Sequence, residues 1–427
     1  VWSDFYEAAQ HTRETSSTLH PGHPPMSKLF PEHILVLGAG PAGAASALGL
    51  KRLGYRVTLL GTVRDTHRIE GISKRVIESL NINGFVEAAE CVSPPVPRYS
   101  YWNGEKHQAN VEHIIQRETF DHGLLKDLER EGIDYRDCMI RHVENDSGKW
   151  KISVTSAGTE DLLVADFIVE ARGRSAPLSN NQVRKGPASI ALTATWRHSR
   201  VVTPHVVAAS ISNGWIWIVE SGRGSTYVQL TVDSEDSTLP VKQEIAPFML
   251  KHLEELESAG INSRQWQQPG NELARGSTSI LVEDCVSDSF IRVGDAAMTA
   301  DPLSGNGIFQ SLSSALIAPA VVNTVLRRPD QRSMAISFFR DRIRHLYTRL
   351  ARTGRDFYRL ESRYHNEPFW KARCDWPDAE PTHLPEEIIG TEIRPVVCDG
   401  FIEERDVLIT KDQPLGIWMI DGKPAVT

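Results

Sequence analysis

The chain has 427 residues, of which 40% are hydrophobic and 24% charged; 47 Lys and Arg against 55 Asp and Glu leave a net charge of −8. A chain this long buries a large core without disulfide or metal staples, and its acidic balance argues against a broad nucleic-acid surface. The cysteines at 91, 138, 285, 374 and 398 form no CxxC pair and no metal-ligand spacing, which reads as reduced thiols of a cytoplasmic protein, and no run reads as the roughly 18 apolar residues of a membrane span.

Residues 1–28 are polar and lack the basic-then-apolar order of a signal peptide, so they read as a flexible leader. The segment HILVLGAGPAGAASALGLKRLGYRVTLLG (33–61) then predicts a strand over Ile34 to Leu37, a helix to Leu53 with Pro41 at its start, and a second strand over Val57 to Leu60. Between the first strand and the helix stand Gly38, Gly40 and Gly43, with Pro41 and Ala42 among them. In this βαβ setting Gly38 permits the tight turn, Gly40 lets the backbone approach a pyrophosphate, and Gly43 lets helix and strand pack closely. The anion then lies on the unpaired N–H groups of the helix start. The acid that usually ends the second strand and grips the ribose is missing: Gly61 stands there, Asp65 follows four residues later, and Thr62 and Arg64 suit a phosphorylated ribose.

Residues 62–112 read as loop with one helix over Lys74 to Leu80, and Glu118 opens another helix running to Arg130. Strands are expected at Trp150–Val154 and within 165–173, and 187–232 is rich in strand patterns. There Trp215 and Trp217 alternate and so share a face, either lining a cavity or packing a core. A helix is expected over Val241 to Ser258 and a helical stretch over 331–372. In FIRVGDAAMTADPLSGNGIF (290–309), a strand ends at Gly294-Asp295, placing a carboxylate where it can accept a ribityl hydroxyl. Pro302, Gly305, Asn306 and Gly307 then open a long apolar helix, whose positive end suits the charge of a reduced flavin at its pyrimidine edge. Asp301, just before that turn, either orients substrate or binds local backbone. Together with GxGxxG these features predict FAD.

The chain resembles the FAD-dependent monooxygenases of the para-hydroxybenzoate hydroxylase type through GAGPAG (38–43), GD (294–295) and PLSGNG (302–307). That resemblance implies an α/β, Rossmann-like FAD-binding domain in separate pieces, interrupted by a β-sheet substrate domain, and it places Arg117 near the flavin. NGWIWIVE (213–220) and RYHNEPFW (363–370) resemble segments of the flavin-dependent tryptophan halogenases. Three positions depart from that pattern: Val219 replaces a proline, Arg98 is the nearest match to the catalytic lysine, and Ser304 replaces the glutamate before the chloride-binding turn. A halogenase-like frame with hydroxylase-like turns is similar to the flavoproteins that hydroxylate a peptidyl tryptophan during tryptophylquinone formation, those of quinohaemoprotein amine dehydrogenase maturation in particular. HRIEGISKR (67–75) and the tail from Asp399 also resemble that group. Glu70, Gly71, Ile72 and Ser73 are accordingly expected on the isoalloxazine face, or as a simple connection. Ala171-Arg172-Gly173-Arg174 lacks the aspartate that many such hydroxylases carry, which puts direct NAD(P)H use in question.

The implied plan is a first FAD-binding part at 29–186, a β-rich substrate domain at 187–275, a second FAD-binding part at 276–350 and a helical and hairpin cap at 351–427. The implied reaction is hydroxylation of an aromatic ring through a flavin C4a-hydroperoxide, with O2 as co-substrate and NAD(P)H or a partner's reduced flavin as reductant. The implied partner is a polypeptide carrying the target tryptophan, with a radical-enzyme maturation partner, and no nucleic acid, membrane or metal is called for. Arg98, Asp301, Trp215 and Trp217 are the candidate catalytic residues. Halogenation or hydroxylation of a small indole, and a flavin-binding assembly factor without turnover, are the competing readings. Arg172, Arg174 and Arg184 would form a docking cluster for an acidic partner, whereas Arg340, Arg342 and Arg344 read more readily as a solvated helix face than as a second such cluster.

Overall fold

The computed structural model describes residues 32–63, 67–177, 183–199, 201–420 and 422–426; the leader 1–28, Arg64 and Asp65 lie outside them. Strand His33–Leu37 is apolar at four successive positions and buried on both faces, as a central parallel strand requires. It pairs in parallel with Phe167–Glu170 on one side and Arg56–Gly61 on the other. Phe290–Arg292 and Asp134–Asp137 close the two edges of this five-stranded sheet. Alternate side chains serve different layers. Ile34 and Val36 pack with helices Pro41–Arg52 and Gly307–Arg327, while Leu35 and Leu37 pack against Ile152, Val154 and Leu163 of a three-stranded antiparallel sheet.

Helix Gly307–Arg327 alone among the described residues has the length and apolar character of a membrane span, contrary to the sequence reading. It is almost wholly buried within the protein. The neighbouring helix Pro41–Arg52 approaches it at Gly49, where an added methyl would lie 2.5 Å from the Pro319 ring.

The second sheet has eight strands. Five of them, between Ile190 and Gly276, come from the segment read as β-rich. The other three, Ile69–Ile72, Val96–Trp102 and Glu105–Gln116, come from a stretch read as loop with one helix. Charged and polar residues fill most of Glu105–Gln116, so it lacks the apolar alternation that marks a strand. Val96–Trp102 joins the sheet by parallel pairing with His205–Ile211, more than a hundred residues away. One face of this sheet buries Ile216, Ile218 and Val228 against helix Ile245–Leu253. The other face carries Trp215, Trp217, Val219 and Tyr227.

Two expected helices are shorter than their periodicity suggested. Val241–Ser258 is α-helical only over Ile245–Leu253, between short 3-10 turns. The stretch 331–372 divides into helices Arg332–Arg359 and Pro368–Cys374. The break holds Glu361, which is fully buried and accepts from the Asn103 N–H at 2.7 Å and the Ser210 hydroxyl at 2.5 Å. A C-terminal hairpin, Ile388–Cys398 with Phe401–Thr410, is pinned to the long core helix where Thr324 Oγ1 accepts the Ile402 N–H at 2.7 Å.

Candidate active site

The glycine-rich turn has the geometry its spacing predicts. Gly38 sits at φ +116°, and a methyl there would lie 2.4 Å from the Ala171 carbonyl oxygen. At Gly43 a methyl would meet the Gly38 oxygen at 1.8 Å. Helix Pro41–Arg52 begins with Pro41 in its first turn, and Gly40 caps it without any side chain, so its first N–H groups are available to an anion. The missing acid at 61 has a structural counterpart: Gly61 lies at φ +148°, with Ala39 N 3.0 Å from where a methyl would be.

Asp295 follows the strand as expected, half-buried beside Gly173. Its carboxylate has no hydrogen-bond partner among the described residues, so it is open to accept a donor. Burial raises its pKa, against the pull of Arg174. Arg174 is anchored on the carbonyls of Thr278 (2.6 Å) and Ser277 (3.4 Å), and also acts on Asp301. Arg172 is held by Glu170 through Nε at 3.0 Å. Arg174 and Arg184 are exposed. On the helix at 340–344, Arg342 is buried and Arg344 pairs with Glu283 at 2.7 Å.

Arg117 opens helix Arg117–Arg130 and leans over the turn, its Nη2 3.9 Å from a methyl built on Gly40. It donates through Nη1 to Glu70 Oε1 at 2.7 Å and through Nη2 and Nε to Asp121 at 3.1 and 3.2 Å. Burial would raise Glu70, but Arg117 and Arg68 outweigh it and hold the carboxyl low. Burial brings Arg68 down to about 10, and its neighbour Arg117 adds to this. Glu70 and Arg117 are thus joined as one charged brace, with Gly71 and Ile72 continuing the same edge strand and Ser73 capping helix Lys74–Asn83.

The second turn, Pro302 to Gly307, packs Leu303 into the aromatic face of the large sheet. Asp301 accepts the Leu303 N–H at 2.9 Å and the Tyr358 hydroxyl at 3.1 and 3.2 Å. Tyr358 in turn accepts the Trp215 indole N–H at 3.2 Å. Asp301 is raised by burial, with Arg373 opposing. Asn306 donates back to the Ser304 carbonyl at 2.6 Å, so its amide braces the turn. The Ser304 hydroxyl is buried without a partner. Gly305 and Gly307 have open space where a side chain would go, and Gly294 closes against Ala42 of the first turn.

Trp217 shares the face of Trp215 and stacks edge-on with Tyr227 at 6.0 Å. Arg98 pairs with Glu112 at 4.0 Å on the same sheet. Arg98 and Asp301 have separate partners. Glu112, Tyr358 and Arg373 escaped sequence reasoning, and Arg174 was read only within a departing motif and an arginine cluster, not as a site residue. His107 is exposed, whereas His113 bonds the Ser93 carbonyl at 2.8 Å.

Residues 73–389 match the family model described as tryptophan halogenase. A solved structure described as the peptidyl tryptophan dihydroxylase QhpG, essential for tryptophylquinone cofactor biogenesis, is 40% identical with a TM-score of 0.82, over 92% of this chain and 91% of that one. The flavin-dependent halogenase CmlS shares the fold at 18% identity and a TM-score of 0.73, over 90% of this chain and 86% of that one. Tryptophan 2-halogenase of Chondromyces crocatus is 24% identical over 377 residues, 80% of this chain and 70% of that protein.

Proposed function

Because the chain belongs to the tryptophan halogenase family and is a flavin-dependent, monooxygenase-type enzyme, we propose that it hydroxylates a tryptophan ring within a partner polypeptide during tryptophylquinone formation. The observation that carries this reading is the 40% identity, across nearly the whole chain, with a peptidyl tryptophan dihydroxylase. The site chemistry supports it. Where the resembling halogenases hold a glutamate, this chain has Ser304 with a buried, unpaired hydroxyl, and Arg98 in the lysine's place is tied to Glu112.

FAD suits the residues present, and when reduced it supplies electrophilic oxygen from O2. The first helix start would hold the pyrophosphate, Asp295 a ribityl hydroxyl, and the turn at Gly305 to Gly307 the pyrimidine edge. Arg117, fixed by two carboxylates, keeps a constant positive charge beside the first turn. Trp215, Trp217 and Tyr227 form a packed aromatic wall that excludes water and against which an indole would rest. Either NAD(P)H or a partner's reduced flavin supplies the electrons.

The test is to incubate the FAD-loaded protein with a candidate partner polypeptide, O2 and either reductant, and weigh the polypeptide. A gain of one or two oxygen atoms on tryptophan is expected. A halide-dependent mass gain, or oxygen on free indoles alone, would overturn the reading.

A further inference from the structure

Glu112 lies on strand Glu105–Gln116, directly opposite Val96 and two residues before Ile114. Val96 and Ile114 both pack on the face that carries Trp215, Trp217 and Leu303, so Glu112 points to that face. Its carboxylate stands over the strand Ile69–Ile72, where a methyl on Gly71 would come within 2.0 Å of Oε1. Glu112 Oε2 and Arg98 Nε are 4.0 Å apart, both buried, and neither atom has a hydrogen-bond partner. A native protein seldom leaves two buried charged atoms unsatisfied without a ligand to complete them. Two observations, the shared face and the two buried atoms without hydrogen bonds, place this carboxylate between the strand Ile69–Ile72 and the tryptophan wall.

We propose that Glu112 is the base that takes the ring proton of the aromatic substrate, with Arg98 as the residue that positions it. The inference rests on the hydroxylation reading above. Overall, the ring C–H becomes C–OH: one atom of O2 enters the ring, the other leaves as water, and the reduced flavin supplies two electrons. The carbon that accepts oxygen then releases its hydrogen as a proton, and the C–H electron pair returns to the ring. Glu112 Oε2 receives that proton. Burial lifts the carboxyl above its ordinary value, against Arg98 and the Trp217 indole N–H, which makes it a stronger base than an exposed glutamate. The carboxylate missing at Ser304 is thereby supplied from another strand.

The experiment uses the full FAD-loaded chain, the partner polypeptide with ordinary or ring-deuterated tryptophan, reduced flavin and O2. E112Q is expected to lower oxygenated product by about 100-fold, to release hydrogen peroxide in its place, and to show a primary isotope effect that the wild type lacks. E112D is expected to recover part of the rate, and it carries the isotope measurement should E112Q not retain FAD. E112Q within about threefold of wild type, or an equal loss in both variants with no isotope effect, overturns the base. Wild-type enzyme that adds no oxygen to the polypeptide overturns the hydroxylation reading and the base with it.

Discussion

Replacing Tyr358 by Phe removes one buried hydroxyl that joins the second turn to the tryptophan wall. That oxygen donates to Asp301 at 3.1 and 3.2 Å and accepts from Trp215 Nε1 at 3.2 Å, and Tyr358 is only 1% exposed. The variant loses a hydrogen bond to a carboxylate and leaves a buried indole N–H unpaired, together worth about 3 kcal/mol. At about 2 cal/mol/K of unfolding entropy per residue, that lowers the melting midpoint of a chain this size by about 3–4 °C. Differential scanning calorimetry of wild type, Y358F and Y364F is the assay. Tyr364 is only partly buried and meets Trp370 through its ring, at 6.0 Å between centroids. Y364F should therefore change stability by less than about 0.5 kcal/mol. If Y358F melts with wild type, or no lower than Y364F, the three-residue link makes no net contribution and the reasoning fails.

Gly38→Ala should weaken FAD binding at least about tenfold, since a side chain at φ +116° is strained and its methyl meets the Ala171 oxygen at 2.4 Å; titration followed by flavin fluorescence reads it. Gly61→Asp, which restores the acid expected for a ribose grip, should loosen FAD rather than tighten it, because position 61 lies at φ +148° against Ala39 N; a lower dissociation constant in the same titration would contradict this. Asp301→Asn should depend on pH. The fold raises this carboxyl, through burial first, so its contribution is full below the unfolded value near pH 4 and is lost as pH rises through the raised one. Relative to wild type, D301N should be at its worst in acid and improve toward pH 7, as read from urea midpoints; a gap that widens toward neutrality would reverse the sign.

The nucleotide half was legible because its signals are local. Apolar runs at Ile34 to Leu37 and Val57 to Leu60, and glycines within six residues, dictate a turn whose clashes lie inside the same βαβ unit, apart from those with Ala171 and Arg172. Trp215 and Trp217 share a face for an equally local reason, the two-residue period of a strand. The substrate side was legible only in part because its contacts are long-range. Asp301 meets Tyr358 across 57 residues, and Trp215 meets it across 143. Strand Glu105–Gln116 carries Glu112 through a run of exposed polar residues, so nothing local separates a functional glutamate from a solvated one. The helix break at Glu361 is of the same kind, since its partners are distant in sequence, Asn103 in a hairpin turn and Ser210 on strand His205–Ile211.

The same long-range placements bear on which reaction the fold favours. A route through free hypohalous acid needs a cation that can engage the oxidant and a carboxylate at the second turn. Arg98 is a planar guanidinium in place of that pattern's lysine, and it faces Glu112 at 4.0 Å. Residue 304 is a serine whose hydroxyl is buried. Direct oxygen transfer makes different demands: a ring held flat beside the flavin, water kept out, and an acceptor for one proton. The tryptophan wall is fixed by Tyr358, and Tyr358 by Asp301 at the edge of the second turn, so any ring resting on the wall is held in register with that turn. Among the described residues, the carboxylate on that face whose buried oxygen accepts no hydrogen bond is Glu112. The same arrangement that weakens the case for halogenation therefore supplies what hydroxylation requires.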